Sequence, residues 1–125
     1  MIKYLFAPFA IANRLESLLF NSYCVARYHP NEALTLTGEA FKNTDSSMYI
    51  AAPTWQQVID WFRESHQIEL VVTESEEEGI FEWTMKSPEF TKEEEFESTA
   101  DYYPCLINGI ENALSYLESK QGEEK

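Results

Sequence analysis

The chain has 125 residues, 44% of them hydrophobic and 14% aromatic, and its 22 acidic residues against 9 basic ones give a net charge of −13. That length suits one domain able to bury roughly two-thirds of its unfolded surface without disulfides or metal, and the composition is globular rather than disordered. A surface so negative repels phosphate backbones and anionic leaflets, so direct binding to nucleic acid or membrane is not expected.

The opening MIKYLFAPFAIANR joins a lysine, an apolar run and an Ala-Ile-Ala that resembles a cleavage site. A signal ending there would fall short of the roughly 15–30 residues usual for secretion, and Pro8 interrupts its apolar run. No run reaches the ~18 apolar residues of a membrane span, and a cytoplasmic location is expected. Pro8 suits the first turn of a helix. From there Ile11, Leu15, Leu18, Leu19 and Ser22 fall on one stripe at helical spacing, although Asn13 and Glu16 also fit a capping box with a later start.

Cys24, Ala26 and Tyr28 alternate with Tyr23, Val25 and Arg27, which predicts a strand. Pro30-Asn31 is turn chemistry, and ALTLT alternates again, so a hairpin follows. Gly38 to Ser47 is polar and aperiodic, a surface loop with Phe41 as its anchor, and MYIAAP before Pro53 reads as extended. Thr54 and Gln57 form a T-x-x-Q capping box that starts a helix. On its wheel Trp55, Val58, Ile59 and Phe62 share the core side, while Trp61 lies on the shoulder, open to either core or partner. Ile68, Leu70 and Val72, then Phe81, Trp83 and Met85, alternate on either side of SEEEG, a second hairpin with one buried face. SPEFTKEEEFES reads as an acidic connection pegged by Phe90 and Phe96. Asp101 is a good N-cap for a last helix that tolerates Pro104 in its first turn. Its stripe is Leu106, Ile110, Ala113, Leu114 and Leu117, and Gly109 is suited to the close approach of a strand.

The expected fold is α+β, in the order α-β-β-α-β-β-α: one antiparallel sheet of about four strands with helices on one face. Residues 1–119 form a single domain and 120–125 a frayed acidic tail. Cys24 and Cys105 match no zinc pattern and no CxxC motif and are expected as small buried hydrophobes.

At AAPTWQQVIDWFRESHQIEL the sequence resembles a family of small uncharacterised proteins of bacterial genomes, phages and mobile elements. Ala52, Pro53, Gln56, Gln57, Trp61, Phe62, Arg63 and Glu64 match its Ala-Pro-x-x-Gln-Gln segment and Trp-Phe-Arg-Glu helix. SLLFNSYCVARYH and CLINGIENAL echo it more weakly, and Gly38–Ser47 and Ser87–Ser98 have no counterpart. The resemblance implies a similar fold and a mobile-element setting, and it carries no activity or site residues.

The chain contains no GxSxG, GxGxxG, P-loop or HExxH pattern, so no cofactor, metal set or catalytic residue is expected, and an enzyme is not. His66 follows Ser65 at a helix end, His29 sits in a turn, and both read as solvated or capping residues. Glu76–Glu78 and Glu93–Glu95 lack the pattern of a calcium loop and read as solvated acidic tips. The expected function is a non-enzymatic protein-interaction module, with a protein partner or a second copy bound through Trp61. The alternative is an acidic mimic of DNA that occupies a DNA-binding protein through Glu93, Glu94 and Glu95. A small hydrolase or transferase built on His66 ranks third.

Overall fold

Proline opens the first helix and no glycine closes it. In the computed structural model residues 5–74, 80–88, 91–97 and 102–123 are described, with the backbone alone for Glu74, Ile80, 91–97 and 121–123. Pro8, extended at φ −60° and ψ 158°, precedes α1 (Phe9–Ser17), which buries Ile11, Ala12 and Leu15. At its end the Leu19 N–H donates to Glu16 O at 3.0 Å and the Phe20 N–H to Leu15 O at 2.9 Å. These are the paired bonds of a Schellman ending, with Leu19 at φ 70° where glycine is usual. The turn removes Leu19 from the expected stripe and leaves it 81% exposed. Ser22 lies beyond the helix, so the stripe is kept only through Leu18.

β1 (Cys24–Tyr28) and β2 (Leu34–Phe41) form the expected hairpin. His29 N–H donates to Ala33 O at 2.9 Å and Glu32 N–H to His29 O at 2.8 Å, while Asn31 Oδ1 accepts the Ala33 N–H at 3.1 Å. Glu32, at φ 68°, takes the left-handed position of this three-residue loop, and Asn31 supplies the Asx turn instead. The pairing runs Tyr28↔Leu34, Arg27↔Thr35, Ala26↔Leu36 and then Cys24↔Phe41, so Val25 alone faces the bulged stretch Thr37–Ala40. Gly38 to Phe41 therefore continues the strand, where a loop was expected, and buried Phe41 is its anchor. A one-turn 3₁₀ helix, Asn43–Asp45, follows. β3 (Ile50–Ala51) pairs with the other side of β1, giving the order β2-β1-β3. Phe6, Ala12, Ala26, Tyr28 and Ala52 pack into one core cluster, within which Tyr28 donates its hydroxyl to Ala7 O at 2.6 Å.

α2 (Trp55–His66) starts as the sequence predicts. Gln57 Oε1 accepts the Thr54 N–H at 2.9 Å, and Thr54 Oγ1 accepts the Gln57 N–H at 3.2 Å. The Gln57 amide also donates to Tyr23 O at 2.7 Å. Trp55, Val58 and Phe62 are buried, and so is Trp61 at 7% exposure. The Trp61 ring meets Phe20 edge-on, with centroids 5.7 Å apart and planes at 66°.

By internal contacts the chain divides into two compact units, Met1–Trp61 and Phe62–Lys125. In the second, Gln67 closes α2 at φ 56°, its N–H donating to Arg63 O at 3.2 Å. β4 (Glu69–Glu74), β5 (Ile80–Lys86) and β6 (Thr91–Glu97) then form an antiparallel sheet in the order β4-β5-β6. The SEEEG tip lies outside the described residues, as do Phe90 and Asp101. Thr91–Glu97, expected as a connection, is a strand in register with β5, Phe96 opposite Phe81 and Glu94 opposite Trp83. Cross-strand pairing overrides the poor strand propensity of consecutive glutamates. α3 (Tyr102–Glu123) packs on this sheet and continues past Lys120, into the segment expected to fray. It buries Leu106, Ile110, Ala113, Leu114 and Leu117 as expected. A Cβ on Gly109 would lie 3.1 Å from both Leu70 Cδ1 and Trp83 Cγ, the close approach that its sequence position suggests.

The fold is α+β, with helices packed against antiparallel strands. Among the described residues the single four-stranded sheet is corrected to two sheets of three strands, because β3 and β6 each add an edge to a hairpin. Among the described residues no helix is long and apolar enough to cross a membrane.

Candidate binding site

A sheet ends in two strands with a free side each, and such edges invite pairing unless they are short, charged or covered. β3 has only two residues. β6 carries Lys92, Glu93, Glu94, Glu95 and Glu97, and β4 is bounded by Glu69 and Glu74. Among the described residues the first part of β2, Leu34-Thr35-Leu36, has none of these guards. The His29–Ala33 bond fixes the alternation along the hairpin, so Arg27 and Thr35 face each other across bonded backbone. The N–H and C=O groups of Leu34 and Leu36 then point to the outer edge. Leu36 lies opposite fully buried Ala26 and shares its face of the sheet, yet it is 62% exposed.

Immediately beyond this edge the bulge opens an exposed cleft of about 610 Å³, lined by Arg27, Leu36, Glu39, Phe41, Asp45 and Tyr49 among others. Arg27 comes from the face of β1 opposite to Ala26 and Tyr28. Its guanidinium carbon lies 4.2 Å from the centre of the Tyr49 ring and 5.4 Å from that of Phe41, within cation–π range of both. Among the described residues Arg27 Nε is buried without a hydrogen-bond partner. Tyr49 is itself braced by His29, ring centres 5.0 Å apart at 85°, and His29 Nε2 lies 2.9 Å from Thr35 Oγ1. The far wall is held by the 3₁₀ turn: Asp45 Oδ2 accepts the Lys42 N–H at 3.1 Å. Asn43 donates to Phe20 O at 2.8 Å and accepts the Ala51 N–H at 2.8 Å. The arrangement offers one oriented cation, two carboxylates and an aromatic floor beside an open backbone edge.

The residues singled out from the sequence lie elsewhere. Trp61 is core, so the aromatic shoulder on which an interface was expected is covered. Glu93, Glu94 and Glu95 occupy consecutive backbone positions of β6, and their side chains lie outside the described residues; Glu76–Glu78 lie outside them altogether. Cys24 and Cys105 are free and buried. Burial pushes the Cys24 thiol up to about 12, and burial, then the Glu82 carboxylate, raises that of Cys105, which removes nucleophilic character from both. His66 borders a second cavity of about 460 Å³ with Ser65, Tyr116 and Lys120, and burial lowers its pKa below the ordinary histidine value. A neutral imidazole there can accept a proton, but Ser65 is its chain neighbour, and adjacent helical positions diverge by about 100°. Among the described residues no group of three or more His, Cys, Asp or Glu could hold a metal. The Arg27 cleft escaped the sequence reading because its parts, residues 27, 41 and 49, converge only through the bulge. The one local signal was an arginine at an alternating position in an otherwise apolar strand.

No family model, curated protein or solved structure matches the chain.

Proposed function

We propose that the protein is a non-enzymatic interaction module that receives an extended segment of a partner protein as an added strand on β2. The observation carrying this reading is the exposed, uncharged edge at Leu34–Leu36, with a core-face leucine left open beside it. Strand addition would supply main-chain hydrogen bonds along the edge, and pockets beside it would select side chains. At −13 two copies of the chain repel each other, which favours a basic partner over a homodimer. The two free buried cysteines fit a reducing cytoplasm, and a bacterial or phage setting rests on the resemblance at Ala52–Glu64.

Selection from a random decapeptide library, followed by amide exchange on the complex, tests the reading. Binding should slow exchange at Leu34 and Leu36. Leu36→Pro, which removes an outward N–H without touching the hairpin ladder, should abolish binding and keep the helical circular dichroism. Peptides that leave both amides exchanging, or that still bind Leu36→Pro, overturn it.

A second reading, the acidic mimic of DNA, draws on β6, an edge strand whose backbone lines up Glu93, Glu94 and Glu95. It predicts capture of a DNA-binding protein that fails at high salt and on charge reversal at these three positions.

A further inference from the structure

We infer that the Arg27 cleft reads the free C-terminal carboxylate of a basic, extended partner tail; the inference rests on strand addition at β2. Three observations converge on it. First, the Arg27 guanidinium carbon lies 4.2 Å from the centre of the Tyr49 ring and 5.4 Å from that of Phe41, so two aromatic rings fix the position of the group that recognises carboxylates bidentately. Second, its hydrogen bonding is incomplete: Nε is buried without a partner, and among the described residues no ion pair to Arg27 forms, although Glu39 and Asp45 line the same cleft. An arginine serving only the fold would ordinarily be satisfied by one of those carboxylates. Third, the straight edge stops at Leu36, where the bulge Thr37–Ala40 begins, so a strand added parallel to β2 along Leu34–Leu36 has its C-terminal end at the cleft. A chain end is what such a stop accommodates.

The charge pattern defines the rest of the ligand. One cation faces two carboxylates in the cleft, and the whole chain stands at −13, so a tail rich in carboxylates is repelled. A tail with lysine or arginine near its end places its terminal carboxylate on Arg27 and its cation against Glu39 and Asp45. Lysine is no substitute for this guanidinium, because it keeps the charge and loses the planar fork.

The test uses the intact protein and two arrays of the same random decapeptides, one with free C termini and one C-terminally amidated. Binding confined to the free-acid array, enriched in basic residues, and weakened about tenfold or more by amidation is expected, the scale of one charge-assisted pair. Arg27→Gln and Arg27→Lys should give a similar loss, with melting temperature checked for each; the amidation arm stands even where a variant does not fold. Peptides that bind equally in both forms, or through an internal glutamate, and are lost with Leu36→Pro, overturn the carboxylate inference and leave strand addition standing. An absence of binders in both arrays overturns the two together.

Discussion

Gly109 and Trp83 are packed so closely that a single methyl group on the glycine would stand 3.1 Å from the indole Cγ. The contact is reinforced one residue earlier, where Asn108 Oδ1 accepts the Trp83 Nε1–H at 2.8 Å. By helix propensity alone Gly109→Ala should stabilise α3 by about 1 kcal/mol. The packing argues the opposite sign, because Trp83 is fully buried and cannot retreat. We expect Gly109→Ala to destabilise by about 1–3 kcal/mol in urea denaturation, and a gain in stability would show that the sheet gives way.

Among the described residues three other than glycine hold left-handed backbone: Leu19, Glu32 and Gln67. Two of them close helices and one completes the hairpin loop, places where glycine is favoured. Leu19→Gly and Glu32→Gly should each raise stability by about 0.5–1 kcal/mol, read as a higher urea midpoint with an unchanged slope. A lowered midpoint for Glu32→Gly would mean that its side chain contributes more than its backbone costs.

Gln57 uses its acceptor and its donor at once, towards Thr54 and towards the carbonyl of Tyr23. Gln57→Glu keeps the acceptor half of the capping box and sets a carboxylate against that carbonyl. It should therefore lose stability, by about 1 kcal/mol at neutral pH, and recover part of it on acidification as the carboxyl gains a proton. A variant as stable as the parent at neutral pH would show that the Tyr23 contact contributes nothing.

The pH dependence follows from buried groups. Folded Cys24 titrates near 12, against 9.0 unperturbed, so the unfolded chain gives up this proton first. Its contribution is whole below pH 9 and is lost as pH rises from there towards 12; Tyr28, also raised by burial, acts in the same direction. Cys24→Ala should flatten the alkaline limb of the stability curve. On the acid side His66, lowered by burial, contributes stability that is present above its ordinary value of 6.5 and lost as pH falls below it. His66→Asn should shallow that limb alone, and an unchanged limb would place the acid sensitivity elsewhere.

Features written in short-range chemistry were legible in the sequence. Thr54 and Gln57 lie three residues apart and set the start of α2 unaided, and the period-two patterns placed β1, β4 and β5. What escaped needed a distant partner. TKEEEFE has no strand signature of its own, and it is a strand because β5 offers an edge. Trp61 stood on the shoulder of its wheel until Phe20, far away in sequence, covered it. Leu19 looked like helix because a left-handed leucine gives no glycine to read. The cleft required Arg27, Phe41 and Tyr49 to meet across a bulge, which no local pattern announces.

The boundary between the two contact units falls within α2, just after Trp61. A cut there divides a helix of 12 residues into pieces well short of the ~12–15 residues at which even isolated good helix formers are marginal. The first piece would keep the capping box and lose the left-handed ending, and the second would keep the ending and lose the cap. Gene fragments separated at the natural seam of this molecule would each encode half a helix, so recombination that respects contacts would still break secondary structure.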